Sequence, residues 1–357
     1  MSTPNLLRCA ELLSEWYTSH YRELPWREST DPYGVWISEI MLQQTRIDAV
    51  IPYYRRFMAA CPDVSRLATI SEEQLLKLWE GLGYYSRARN LQKAARVIVE
   101  QYGDTLPADY KQLLSLPGIG EYTAGAIASI AYNIPVPAVD GNVMRVLARL
   151  TGDDTDVLSA GAKRHFADIV QNMLPNNCAG RFNQALMELG ETVCLPKATP
   201  NCPDCPWKDE CKAYKNGATS FLPVRSKKKP RRIEERIVAV VYVAGDPPRV
   251  LLHKRPHKGL LANLWELPNA LASEEEQLLP SELQERCRFT DELTSAKHIF
   301  SHIEWHMRGR LYQMPNTALP KGYVAVTLQE LQQNFALPTA FRQYAALLPQ
   351  LLQKEDI

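Results

Sequence analysis

Leu116-Pro117-Gly118-Ile119-Gly120 separates two stretches that read as helices, Asp109–Ser115 before it and Glu121–Tyr132 after it. Two glycines in five residues permit a tight turn, and Thr123 falls in the first turn of the following helix. The first amides of a helix have no partner within it, so such a turn can present backbone N–H groups to a phosphate. Pro117, Gly118, Gly120 and Thr123 are therefore candidate contacts to a nucleic-acid backbone. A plain connection between two helices is the other reading of the same five residues. If the first holds, the hairpin grips a duplex without reading its sequence.

Twenty residues on lies Pro137-Ala138-Val139-Asp140-Gly141-Asn142, followed by Val143, Val146, Leu147 and Leu150 at helical spacing. Asp140 sits where an N-cap belongs. The amides of the helix start favour an ionised carboxylate, which could also stabilise a nearby cation. Upstream, Glu39 lies in Val35-Trp36-Ile37-Ser38-Glu39-Ile40-Met41-Leu42-Gln43-Gln44-Thr45. On a helix its neighbours three and four positions away are Val35, Trp36, Leu42 and Gln43, three of them apolar. A glutamate so placed is desolvated and its pKa raised, which suits a general acid. A buried structural glutamate paired with an arginine fits equally well. A raised acid beside an ionised carboxylate is the division of labour expected when a leaving group departs from a sugar.

Cysteine usage adds a third constellation. Of eight cysteines, Cys194, Cys202, Cys205 and Cys211 fall in one short proline-rich loop. Clustered thiols point to a metal centre rather than a disulfide scaffold. Zinc usually takes two Cys-x2-Cys knuckles, and only one is present; the uneven spacing suits a [4Fe-4S] cluster.

Composition sets the frame. The chain has 357 residues, 45% apolar and 23% charged, with 41 basic against 40 acidic residues and a net charge of +1. Two domains are expected, and overall charge argues for no particular partner. The longest apolar run, Ile237 to Ala244, is strand-sized, so no membrane partner is expected. The N-terminus lacks a signal-peptide core, and a cytoplasmic protein is expected. Residues 1–215 read as a helical domain. Residues 216–232, with the basic run Arg225–Arg232, read as an exposed linker, and residues 233–357 as an α+β domain. Within the last, residues 296–313 alternate apolar and polar like one strand. Its His298, His302 and His306 would then stand about 13 Å apart, too far to share an ion.

Together these motifs resemble the helix-hairpin-helix DNA glycosylases of the endonuclease III superfamily, and within them the MutY-type adenine DNA glycosylases. The resemblance is carried by Leu24-Pro25-Trp26-Arg27, the Trp36–Thr45 stretch, Gly81-Leu82-Gly83-Tyr84-Tyr85-Ser86-Arg87, Leu116–Gly120, Val139-Asp140-Gly141-Asn142-Val143 and the four-cysteine loop. It covers residues 5–215 strongly and 233–350 more weakly. The loop departs from the family pattern by one residue, with seven rather than six between Cys194 and Cys202.

The resemblance implies a mostly helical glycosylase domain followed by an α+β Nudix-like domain. Its expected substrate is duplex DNA carrying adenine opposite 8-oxoguanine or guanine, and its expected cofactor a [4Fe-4S] cluster on Cys194, Cys202, Cys205 and Cys211. It is expected to work as a monomer. It implies that Glu39 protonates adenine and that Asp140 stabilises the sugar cation, with Tyr122 and Asn142 supporting them. Gln44 and Tyr84 match residues that wedge into the base stack. Arg22, Leu24, Trp26 and Arg27 are expected to line an adenine pocket. Phe300-Ser301-His302 matches a lesion-sensing loop. Trp265-Glu266-Leu267-Pro268 fits the Nudix fold, whose magnesium-holding box is missing from the sequence, so a reader of the opposite base is expected rather than a hydrolase.

Two rivals are weaker. An endonuclease III-type glycosylase/lyase needs a lysine two residues after the hairpin's last glycine, where this chain has Tyr122. A non-catalytic DNA-binding protein would not need Glu39 and Asp140 together.

Overall fold

The computed structural model describes residues 4–196, 199–227 and 230–352. It divides into two units, Met1–Thr69 with Arg89–Lys227, and Ile70–Ala88 with Lys228–Ile357. Among the described residues no helix is long and apolar enough to cross a membrane.

In the first unit the hairpin forms where the glycines predict it. Helices Tyr110–Ser115 and Glu121–Tyr132 flank the turn, and Asp109 caps the first of them. Gly118 has φ +78°, and a Cβ there would lie 2.6 Å from the Asn90 Cβ, so both backbone and space require glycine. The helix Glu121–Tyr132 packs against Pro32–Leu42 on one side and Ala179–Thr192 on another. Gly180 permits the second approach, since a Cβ there would meet the Ser129 carbonyl oxygen at 2.5 Å. Around Gly141–Thr151, a core of Leu13, Val143, Leu147, Phe166, Phe182, Leu186 and Trp207 is sealed from water. Each such side chain contributes roughly 1.5–3 kcal/mol of burial. This packing carries the Glu39 helix and the Asp140 helix on the same frame.

The second unit is a seven-stranded sheet: β1 Arg232–Val243, β2 Arg249–Lys254, β3 Trp265–Glu266, β4 Asn269–Leu271, β5 Arg288–Ile299, β6 Ile303–Met314 and β7 Tyr323–Val326. The main order is β3-β2-β1-β6-β5, with β4 on β1 and β7 on β2. Strands β1 and β6 run parallel from Arg232↔Ile303 to Val243↔Met314, and the other pairs are antiparallel. Val238 and Val240 face one core with Trp305, Met307 and Phe341, whereas Ile237, Ala239 and Val241 face another with Leu279 and Leu283. Burial on both faces explains the continuous apolar run of β1.

Two sequence expectations change here. Residues 70–88, read as part of the helical domain, pack with the second unit. The stretch 296–313 is not one strand, because the chain reverses at Phe300–His302. Accordingly His298 lies on β5, His302 in the turn and His306 on β6. Inward Ile303, Trp305 and Met307 alternate with outward side chains only along β6. The basic linker is described only in part, since Lys228 and Lys229 lie outside the described residues.

Candidate active site

A cavity of about 750 Å³ opens in the first unit, and both carboxylates line it. Glu39 projects from the middle of Pro32–Leu42 and is 6% exposed. The Tyr122 hydroxyl donates to its Oε2 at 2.6 Å. Burial pushes the Glu39 carboxyl up to about 7 and the nearby Asp140 adds to this, while the Tyr122 hydrogen bond and Arg27 pull the other way. Burial and the two carboxylates hold the Tyr122 phenol well above its usual range, so it remains a donor.

Asp140 caps Gly141–Thr151 as expected. Its Oδ1 accepts from the Asn142 and Val143 amides at 2.9 and 2.8 Å. These donors do not decide its proton affinity. Burial outweighs them and raises the Asp140 carboxyl, so both carboxyls are raised and the helix amides only moderate the rise at Asp140. Asn142 supports Asp140 through its backbone alone. Its side chain donates to Glu191 at 2.7 Å and accepts from Arg145 at 2.9 Å.

The pocket wall contains Arg22, Leu24, Trp26 and Arg27, as the resemblance implied. What holds the two arginines was not legible in the sequence. Glu188, 1% exposed, accepts from Arg22 Nε and from Arg27 Nη2, the latter at 2.8 Å. The buried glutamate–arginine pairing considered for Glu39 is present, but it belongs to Glu188. Met187 also reaches the site, with its sulfur 3.5 Å from the Tyr122 hydroxyl.

The hairpin residues divide. Gly120 caps Glu121–Tyr132 without any side-chain cap, which leaves its first amides to outside acceptors. Pro117 and Gly118 form the turn itself. Thr123 is 2% exposed and its hydroxyl accepts from Gln43 at 3.4 Å, so its side chain turns inward and only its backbone faces the first turn of the helix. Gln44, at φ +61°, lies on the cavity rim.

The cysteine loop does not meet its expectation. Cys194, Cys202, Cys205 and Cys211 line a common cavity of about 20 Å³, room for one water molecule. Burial pushes the Cys205 thiol up to about 12 and raises Cys202 and Cys211, against the thiolate form that ligates metals. Arg149 donates to the Cys194 sulfur at 3.2 Å, and the Cys211 thiol donates to the Arg149 carbonyl at 3.3 Å. Among the described residues no group of three or more His, Cys, Asp or Glu side chains could hold a metal ion. The [4Fe-4S] cluster is corrected on that finding: the four cysteines line the wall of a small cavity.

The remaining sequence candidates lie in the second unit. Tyr84, at φ +47°, is 46% exposed and so is not a core residue. Its hydroxyl and the Ser301 hydroxyl are 2.9 Å apart in one hydrogen bond. Ser301 and His302 are exposed in the β5–β6 turn. Phe300 is different: its ring packs edge-on against Trp305 and His298, with centroids 4.9 and 4.5 Å away.

A family model described as HhH-GPD superfamily base excision DNA repair protein matches residues 37–172, and a NUDIX domain model matches residues 238–347. The adenine DNA glycosylase of Mus musculus is 37% identical over 391 residues, covering 92% of this chain and 76% of that protein. The chain belongs to the adenine DNA glycosylases. The adenine DNA glycosylase of Rattus norvegicus is 37% identical over 350 residues, 82% of this chain and 68% of its own. Among solved structures, a thermostable thymine-DNA glycosylase aligns with a TM-score of 0.54 at 26% identity, over 58% of this chain and 95% of that one. This adenine DNA glycosylase thus joins an HhH-GPD helical domain to a Nudix-like sheet domain.

Proposed function

We propose that this adenine DNA glycosylase hydrolyses the N-glycosidic bond of adenine opposite 8-oxoguanine or guanine in duplex DNA. The observation that carries the reading is the pair of buried carboxyls on one cavity, Glu39 raised to about 7 and held by Tyr122, Asp140 held by two helix amides. The adenine is flipped out of the stack at a cost of a few kcal/mol. Arg22, Leu24, Trp26 and Arg27 receive it, and Glu188 fixes the two guanidinium groups. Glu39 then gives its proton to a ring nitrogen of the base. The C1′–N9 bond breaks with its electron pair going to adenine, and the sugar is left as an oxocarbenium-like cation. The Asp140 carboxylate stabilises that cation, and water supplies the hydroxyl at C1′. The Gly118 and Gly120 amides and those at the start of the next helix hold phosphate. Tyr84, Ser301 and His302 read the opposite base, and Gln44 contacts the DNA from the cavity rim. The protein is proposed to act as a monomer in the cytoplasm, on DNA.

Excision from a duplex with adenine opposite 8-oxoguanine, followed by alkali, tests the reaction type. Tyr122 stands where a lyase has its amine, and a phenol forms no Schiff base. Strand products are expected only after alkali; strand cleavage and borohydride trapping without it would overturn the monofunctional reading.

Tyr122→Phe makes a separate test of the acid. The hydroxyl now lowers the Glu39 pKa by stabilising the carboxylate. Without it the Glu39 carboxyl rises further, so the alkaline limb of the single-turnover rate profile should move to higher pH. The maximal rate should fall on the order of tenfold through looser positioning. A limb that moves to lower pH would contradict the assignment of Glu39 as the acid.

A further inference from the structure

Residues 70–88 raise a question that the catalytic cavity does not answer: why a short helix and turn pack with the sheet domain. The helix Glu72–Leu78 starts at Ser71 and ends in Trp79, which is fully buried. Beyond it the chain winds through three left-handed residues, Gly81, Gly83 and Tyr84, at φ +99°, +71° and +47°. The Trp79 indole donates to the Gly83 carbonyl at 3.1 Å, and Arg87 donates to the Leu82 and Gly83 carbonyls at 3.1 and 3.2 Å. The turn is therefore stiff, and its tip presents Tyr84 to Ser301.

One ion pair fixes the base of this turn to the sheet domain. Lys77 Nζ donates to Glu80 Oε2 at 2.6 Å, to the Leu331 carbonyl at 3.1 Å and to the Phe335 carbonyl at 2.9 Å. Both carbonyls belong to the end of the helix Leu328–Asn334, where a cation is favoured. The other Glu80 oxygen accepts from the Leu337 amide at 2.7 Å. Every hydrogen-bonding position of the lysine is used, and both oxygens of the glutamate are engaged. At the far end of the same helix, Lys254 pairs with Glu73 at 3.0 Å and Asn263 donates to Glu72 at 3.1 Å. Those contacts are more exposed and hold the start of the helix rather than its turn.

We propose that Lys77 and Glu80 are positioning residues for discrimination of the opposite base: their ion pair locks the Tyr84 turn onto the helix Leu328–Asn334, so that Tyr84 and Ser301 meet the DNA as one preset pair. This rests on the reading of Tyr84 and Ser301 as contacts to the opposite base. Neither Lys77 nor Glu80 lies on the catalytic cavity, so removing the pair should leave the chemical step alone. It should loosen only the distance between the two hydroxyls.

The test uses the full chain. Single-turnover rates of adenine excision opposite 8-oxoguanine and opposite guanine would be measured for the wild type, Lys77→Met, Lys77→Arg, Glu80→Gln and Ser301→Ala. Lys77→Met should lower the ratio of the two rates five- to twentyfold, with the rate opposite guanine within twofold of wild type. Lys77→Arg can still donate to the carboxylate and the carbonyls, and should restore most of the ratio. Glu80→Gln keeps an acceptor for the Leu337 amide and loses only the charge, so a smaller loss is expected, and it serves if Lys77→Met fails to fold. Lys77→Met placed on Ser301→Ala should add little further loss. An equal fall in both rates would mean plain destabilisation and overturn the proposal. So would an unchanged ratio in Lys77→Met or Glu80→Gln when Ser301→Ala lowers it. If Ser301→Ala itself leaves the ratio unchanged, the reading of the opposite base by this turn fails, and the proposal with it.

Discussion

Glu39→Gln is expected to lose excision on the order of 10³-fold while gaining stability at neutral and alkaline pH. The loss follows from the missing proton, since general acids commonly supply 10²–10⁴ of rate. The gain follows from linkage. The folded-state carboxyl lies at about 7 against an ordinary 4.5, so the native state binds this proton more tightly than the unfolded chain. The contribution of this one group to wild-type stability is therefore greatest below the unfolded value, falls as pH rises from 4.5 to 7, and then levels off with the buried charge fully present. Glutamine carries no such charge, and its amide oxygen can still accept from Tyr122. At pH 8 the variant should be more stable by up to about 3 kcal/mol, because each tenfold difference in proton affinity between the folded and unfolded chain is worth roughly 1.4 kcal/mol. Near pH 4.5 the difference should vanish. Urea unfolding at the two pH values, beside single-turnover rates, measures both. A loss of rate accompanied by higher stability cannot be misfolding. Wild-type-like excision by the variant would remove Glu39 from the chemistry, and a variant less stable at pH 8 would contradict the desolvation that raises it.

What the sequence disclosed of this arrangement was local. The hairpin followed from two glycines between helices, the Asp140 cap from the apolar spacing after it, and the raised Glu39 from its own helical neighbours. Each depends on residues within a few positions in the chain. What stayed hidden depends on distant partners. Glu188 meets Arg22 and Arg27 from more than 160 residues away. Its only sequence sign is a carboxylate beside Leu189 in the apolar face of Phe182, Ala185 and Leu189. The inward turn of the Thr123 side chain was not visible either, because that face of the helix packs toward Pro32–Leu42. Asn142 follows Asp140 by two residues, but the helix turn directs its side chain to Glu191 and Arg145 instead. The cysteine spacing permitted a metal centre and could not show that the folded loop brings no such group together among the described residues. Residues 70–88 look continuous with the helical domain along the chain; contacts such as those of Lys77 and Glu80, some 250 residues distant in sequence, assign them to the sheet domain.

Asp140→Asn separates the two jobs of one side chain. As a cap, asparagine is as good as aspartate, and its Oδ1 can keep both amide hydrogen bonds of the helix start. Stability should therefore stay within about 1 kcal/mol of wild type, whereas Asp140→Ala should lose the cap at a cost of about 1 kcal/mol or more. As a carboxylate, asparagine is useless. A unit charge about 4 Å from the sugar cation contributes about 4 kcal/mol at an effective dielectric constant of 20, so excision should fall on the order of 10³-fold. The neighbouring acid reports the same change independently. Asp140 raises the Glu39 carboxyl by charge repulsion, and its neutralisation should lower that pKa. Whatever rate remains should thus lose its acid form at lower pH than the wild type does. Circular dichroism, mispair binding and the pH profile of single-turnover excision check the three expectations together. An Asn variant that excises adenine at the wild-type rate would leave Asp140 as a helix cap alone, and the cation would have to be stabilised by another group on the cavity wall.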